Sequence, residues 1–157
     1  MKKVLFVAAV LFMAGSKAQG VVIAPWSYPP AGPFVPEGQS ATAIAARAEY
    51  ELADGGARLF GVLPSEGLLQ LTACKDLLSL AVKDVAASVP ASAAPDKDLH
   101  ASAELLETMS GTLVTMAETY LRTVDPITPE QKKLLNKISD LAGELGSNAL
   151  SLAIKTQ

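Results

Sequence analysis

The feature that most constrains this 157-residue chain is the helical spacing of its apolar residues, which recurs in four separate segments. Apolar side chains three or four residues apart lie on one face of an α-helix. A single helix of this kind is marginal in water, because most helical stability in proteins comes from packing that face. The four segments must therefore pack together. Strand-like alternation of useful length is not found, so the sequence predicts an all-α fold, a four-helix bundle with three long helices and one shorter helix.

The first predicted helix is the shorter one. Its apolar residues recur at four-residue spacing from Ile44 to Leu52. The pair Gly55-Gly56 predicts its end, because glycine is a poor helix former and is common just after a helix. Residues 59–63 predict only a weak continuation, which Pro64 is expected to end.

The second predicted helix carries the widest apolar stripe. Ser65 is expected to be its N-cap, and Pro90 is expected to limit it. Its main face follows three- and four-residue spacing: Leu71, Cys74, Leu78, Ala81 and Val85. Four further leucines and Val82 widen this face, so we expect the second helix to bury the most apolar side chains. Residues 88–95 are rich in Pro, Ala and Ser and predict a loop.

The third helix is predicted to begin near Asp96 or Asp98, because a carboxylate is favourable at the positive end of a helix dipole. The pair Asp125-Pro126 is expected to end it. Its buried face is predicted to consist of five residues: Leu106, Met109, Leu113, Met116 and Tyr120.

The fourth helix has the clearest start in the chain. Thr128-Pro129-Glu130-Gln131 combines a capping threonine, a proline at the first helical position and a glutamine three residues after the cap. Gly143 and Gly146 weaken the helix and predict a possible break. Its apolar face is expected to contain Leu134, Ile138, Leu141, Leu145 and Leu152.

Residues 1–18 have the plan of a secretory signal peptide. Two lysines precede the apolar run Val4–Ala14, and small residues stand three and one positions before a cut after Ala18. The run is too short to cross a bilayer, which takes about 20 residues in a helix. We therefore expect an exported protein of the periplasm or the extracellular medium, with no transmembrane segment in the mature chain.

Charge argues against nucleic acid as a partner. Removing residues 1–18 removes three lysines and no acidic residue, so the formal net charge changes from -3 to -6. Proteins that bind nucleic acid through phosphate contacts carry an excess of Lys and Arg, which this chain lacks.

Residues 19–38 form a separate region before the predicted bundle domain, residues 39–157. The segment holds five prolines and three aromatic residues, Trp26, Tyr28 and Phe34. Proline fixes φ and removes a donor, which favours an extended, polyproline-like arm. Two interpretations stay open for the rings. They pack along the following helices, or they bind a protein partner or a second copy of the chain.

The single histidine is poorly placed for catalysis. His100 falls in the first turn of the third predicted helix, with Glu104 four residues after it and Asp98 and Ser102 two residues to either side. Residues two apart do not share a helix face, so neither would orient the imidazole. We expect His100 to be a solvated first-turn residue and expect no catalytic residue in the chain.

The single cysteine and the paired carboxylates do not indicate a metal or cofactor. Cys74 is expected to be a small buried hydrophobe, with an intermolecular disulfide as the alternative. The pairs Glu49/Glu51 and Glu104/Glu107 lack the Glu-x-x-His motif of di-metal bundles. The sequence therefore predicts no metal and no cofactor.

One short stretch resembles a known family. Ile127-Thr128-Pro129-Glu130-Gln131-Lys132-Lys133 is similar to the Leu-Thr-x-x-Gln motif of the Spy/CpxP-type periplasmic helical chaperones, with Ile127 in place of the leading leucine. Those chaperones are small, exported and all-helical, and they are richer in charge than this chain. The resemblance implies a chaperone of the cell envelope.

Three functional classes follow from these observations. The first is a non-catalytic interaction protein that binds another protein or self-associates through an apolar helix face and the segment 19–38. The second is a carrier of an apolar small molecule or lipid in a cavity between helices. The third is the chaperone that the resemblance implies. We favour the first class.

Export predicts a defined mature product. When the full-length sequence is expressed in a bacterial host, we expect intact mass spectrometry of the exported fraction to show a chain that begins at Gln19. A full-length chain confined to the cytoplasmic fraction would contradict the predicted leader.

Overall fold

The computed structural model describes residues 41–89 and 95–157, except for the side chain of Thr42. The described residues form four helices and no strand: α1 (Ala41–Leu59), α2 (Pro64–Ser88), α3 (Lys97–Thr123) and α4 (Pro129–Thr156). Helix α1 has 19 residues, and the others have 25, 27 and 28. The predicted all-α bundle with one shorter helix is confirmed. The predicted leader 1–18 and the segment 19–38 lie outside the described residues.

The helices form two hairpins that share one core. Helix α1 packs mainly on α2, and α3 packs mainly on α4, while α2 also contacts both α3 and α4. The α1–α2 turn lies at the end of the bundle where α3 finishes, because the rings of Phe60 and Tyr120 are in contact there. At the opposite end, the Asp96 amide donates a hydrogen bond to the Thr156 carbonyl.

Helix α1 does not end at Gly55-Gly56, and the predicted stop is wrong. The helix continues to Leu59 because these glycines lie buried against α2. A Cβ on Gly55 would come within 3.0 Å of Leu71 Cδ2. Across the same contact, a Cβ on Gly67 of α2 would come within 2.4 Å of the Leu59 backbone nitrogen. Close packing offsets the low helix propensity of glycine, about 1 kcal/mol per residue relative to Ala.

The start of α2 also differs from the prediction. Pro64 does not end a helix but occupies the first turn of α2, where its missing N–H costs nothing. The N-cap is Leu63 and not Ser65, and its side chain makes no capping hydrogen bond. An apolar side chain therefore occupies the N-cap position, where a polar capping residue is common.

The predicted core faces of α2 and α3 are confirmed. All five predicted residues of each helix are buried, and α2 buries the most apolar side chains of the four helices. Cys74 is fully buried, as expected of a small hydrophobe. Asp96 is the N-cap of α3 and accepts hydrogen bonds from the amides of Asp98 and Leu99, both at 3.0 Å.

Helix α4 starts as predicted, with a capping box between Thr128 and Gln131. The helix is continuous through both glycines, so the possible break does not occur. Its buried face is rotated from the predicted one: Leu134, Leu141 and Leu145 are half-buried, and the centre of the face consists of Leu135, Ile138, Ala142, Ala149, Leu152, Ala153 and Thr156. Three of these seven residues are alanines.

The close contact between α1 and α2 predicts opposite effects for two glycine substitutions. Gly67→Ala would place a methyl group against the Leu59 backbone and should lower the free energy of unfolding by about 1–3 kcal/mol. Gly143→Ala is the matched control, because that exposed helical glycine has open space around its Cβ position. It should raise the free energy of unfolding by about 0.5–1 kcal/mol.

Urea unfolding followed by far-ultraviolet circular dichroism measures both changes. Equal effects of the two substitutions would contradict the close contact.

Candidate functional site

Three large apolar side chains are exposed together at the turn between α1 and α2. Phe60, Val62 and Leu63 expose 39%, 92% and 43% of their surface. We call these three residues the turn patch. A helix–helix turn is normally polar, because side chains there face water. Of the other exposed large apolar residues, Leu69 and Leu80 lie on α2 and Leu105 lies on α3, while Leu150 and Ile154 are four residues apart on one face of α4.

One residue of the turn patch, Phe60, packs against the core. The Phe60 ring packs edge-on against the ring of Tyr120 in α3, with the centroids 5.7 Å apart and the planes at 65°. Tyr120 is itself only 4% exposed. Gly61 makes the tight exit from α1 possible, since a Cβ there would lie 2.7 Å from the Ala57 carbonyl oxygen. Phe60 is therefore fixed in position at the end of α1, next to the exposed Val62.

Charged groups next to the turn patch are paired, with the single guanidinium of Arg58 between two carboxylates. Arg58 Nε lies 2.9 Å from Asp54 Oδ2, and the same guanidinium pairs with Glu66 across the turn. Gln70 of α2 donates a hydrogen bond to the same Asp54 carboxylate. These contacts clamp α1 to α2 and leave the patch without an unpaired Arg58 charge beside it.

The sequence-predicted binding residues cannot be placed against this patch. Trp26, Tyr28 and Phe34 lie outside the described residues. The turn patch is not predicted from the sequence, because residues 59–63 fit a weak continuation of the first helix. The signal that identifies it is a run of large apolar residues interrupted by Gly61 and followed by Pro64, both of which are typical of turns.

His100 is less solvated than predicted. Its side chain bridges α3 to α4, because Nδ1 lies 2.9 Å from the Ala153 carbonyl oxygen. A carbonyl only accepts, so Nδ1 carries the proton and donates. Nε2 lies 3.3 Å from a carboxylate oxygen of Glu104, one turn further along α3. The imidazole therefore fastens the end of the α3–α4 hairpin, a structural role that sequence spacing to Asp98 and Ser102 did not indicate.

Cys74 and Glu51 form a buried pair of titratable groups. Cys74 is a free, fully buried cysteine, and burial raises the pKa of its thiol, with a smaller contribution from the nearby Glu51 carboxylate. A thiol in this setting is suited to packing, since reactivity and disulfide exchange need an accessible thiolate. Glu51 is 3% exposed and lies in the core, whereas Glu49 is half-buried. The two carboxylates therefore lie in different environments.

Three further features of the described residues bear on function: possible metal ligands, possible membrane spans and surface depressions. No group of three or more His, Cys, Asp and Glu side chains there is arranged to hold a metal ion. None of the four described helices combines the length and the apolar character that a membrane span needs. An open depression on α4 is lined by residues that include Pro129, Leu141 and the three lysines Lys132, Lys133 and Lys137.

The motif that resembles the helical chaperones has a local role. The Thr128 hydroxyl accepts a hydrogen bond from the backbone N–H of Gln131. The side-chain oxygen of Gln131 accepts one from the backbone N–H of Thr128. These two bonds account for the Thr-x-x-Gln spacing as a helix start.

Comparisons of the chain with known protein families, with curated proteins and with solved structures found no match.

Burial of Glu51 predicts a pH-dependent stability difference. Burial raises the pKa of Glu51 above its usual 4.5, and this effect outweighs the opposing attraction of Arg47. An acid whose pKa is higher in the folded chain destabilises that chain progressively as pH rises from the unfolded pKa through the folded pKa. Glu51→Gln should therefore unfold at higher urea concentration than the unaltered protein at pH 7, and the difference should narrow towards pH 4.

Glu107→Gln is the control, because Glu107 is an exposed acid on α3. A gap between Glu51→Gln and the unaltered protein that is the same at both pH values would contradict the buried-acid interpretation.

Proposed function

We propose that this chain is an exported, non-catalytic helical interaction protein that binds another protein, or a second copy of itself, through the turn patch and segment 19–38. The observation that carries the proposal is the exposure of Val62, at 92%, beside Phe60 and Leu63. Contiguous apolar side chains on an otherwise water-facing surface are typical of interaction sites, because their burial against a partner releases water.

The geometry of the patch supports a binding role in a second way. The ring of Phe60 is held against the ring of Tyr120. Side chains that are already ordered lose little conformational freedom when a partner binds, which favours affinity. Aromatic anchors of this kind are enriched among the residues that dominate interface energetics.

The structural roles of His100 and Cys74 support the non-catalytic part of the proposal. His100 donates to the Ala153 carbonyl, and Cys74 is packed in the core. Export is supported by the residue pattern of the leader. The carrier and the chaperone functions stay predictions.

Substitution of the most exposed patch residue tests the proposal. Val62→Asp should not disturb the core, because the side chain has almost no contacts to lose. Burying an unpaired carboxylate in an interface is costly, so the variant should weaken partner capture or self-association by about tenfold or more. The measurements are sedimentation velocity of the purified protein and quantitative capture from the envelope or culture fluid of its own organism.

Leu150→Asp is the matched control, since it introduces the same charge at an exposed apolar position on α4. The proposal requires that this variant keep the association that Val62→Asp loses. Equal association of the unaltered protein and Val62→Asp would overturn the turn patch as the binding surface.

A further inference from the structure

We infer that His100 and Glu104 on α3 are two ligands of a zinc ion, and that a second copy of the chain supplies the remaining ligands. This site is separate from the turn patch. Its two side chains lie near the start of α3, whereas the turn patch lies at the opposite end of the bundle, beside Tyr120.

The imidazole of His100 already has the orientation of a metal ligand. Nδ1 lies 2.9 Å from the Ala153 carbonyl oxygen and donates to it, so Nε2 of the neutral ring carries a lone pair. A histidine that binds a metal through one ring nitrogen commonly donates through the other to a carbonyl or carboxylate oxygen, because that bond fixes the tautomer and the ring orientation. The hydrogen bond between α3 and α4 thus prepares Nε2 to bind a cation.

The distance between the imidazole and the neighbouring carboxylate fits a metal ion. Nε2 lies 3.3 Å from Glu104 Oε1. A hydrogen bond between an imidazolium and a carboxylate is shorter, at about 2.7–2.9 Å. Two ligands of a tetrahedral zinc ion, each about 2.1 Å from the metal, are about 3.4 Å apart. The spacing of these two atoms therefore fits a shared zinc ion better than a shared proton.

The chemistry of the two ligands favours zinc over harder cations. Imidazole nitrogen suits zinc and other transition metals, whereas Ca²⁺ and Mg²⁺ prefer oxygen ligands. His100 and Glu104 are four residues apart and share one face of α3, the spacing that also places two ligands together in helical zinc sites. Their side chains are 28% and 62% exposed, so a metal ion can reach them from solvent.

A second copy is required because zinc sites commonly use three or four protein ligands, and one chain supplies two here. His100 is the only histidine of the chain, and Cys74 is fully buried. Within residues 41–89 and 95–157, no third His, Cys, Asp or Glu is arranged with this pair to hold a metal ion. One pair from each of two copies gives two nitrogen and two oxygen ligands, and the two carboxylates balance the charge of Zn²⁺.

Zinc titration of the untagged protein, expressed from its full-length sequence, tests the inference. Zinc chloride should increase the mass of the protein in sedimentation velocity, and EDTA should reverse the change. Isothermal titration calorimetry should give one zinc ion for every two chains. Mg²⁺ at the same concentration should have no effect, and Co²⁺ should give the visible absorption bands typical of a tetrahedral centre.

Glu104→Gln is the most direct variant, because the side chain is largely exposed and the amide keeps the size of the carboxylate without its charge. Loss of an outer-shell partner costs about 10- to 100-fold in metal affinity, so loss of a ligand should raise the half-saturating zinc concentration by at least about tenfold. Glu107→Gln is the matched control, since Glu107 is an exposed acid on the same helix outside the pair. Helical circular dichroism in EDTA should be the same for both variants and the unaltered protein.

The possible outcomes distinguish this site from its alternatives. Absence of zinc binding in the unaltered protein, or binding that Glu104→Gln and Glu107→Gln weaken equally, would overturn the inference. One zinc ion per chain without a change in mass would overturn the role of the second copy. Val62→Asp should keep the zinc-dependent association, so failure of the metal site and failure of the turn patch are seen in different variants.

Discussion

The contact on which the rest of the structure depends is the close approach of α1 and α2 at Gly67. A Cβ there would overlap the backbone of Leu59, so the two helix backbones touch without an intervening side chain. This approach keeps α1 helical through Gly55-Gly56 and brings Asp54 within reach of Gln70. It also leaves little room at the turn. Of the apolar side chains that follow Leu59, Phe60 packs against the ring of Tyr120, while Val62 stays exposed.

The two ends of the bundle differ as a consequence. At one end, the amide of Asp96 and the imidazole of His100 donate to carbonyl groups at the end of α4, so exposed polar backbone is satisfied within the fold. At the other end, the turn patch presents Val62 and its neighbours to solvent. This group of exposed apolar side chains at one end of a well-packed bundle is the basis for the proposed interaction role.

Much of the fold was predictable from the sequence, and the errors have a common cause. The apolar period located all four helices, and the capping signals at Asp96 and Thr128 located two of their starts. The predictions failed at Gly55-Gly56 and at Pro64, where local propensity indicates an end. There, the burial of glycine against a neighbouring helix and the fit of proline in a first helical turn decided the outcome. The candidate site was missed for the same reason, since exposure of the turn patch depends on which side chains the core has room for.

The sequence by itself determined the elements and their inward faces, because helical period, capping residues and apolar content act over a few neighbouring residues. Cys74 and the predicted faces of α2 and α3 were correct on this basis. Only the tertiary structure decided the rotation of α4, the bridge from His100 to Ala153, the burial of Glu51 and the exposure of Val62. Each of these depends on how the helices pack against one another, and residues far apart in the chain meet in that packing.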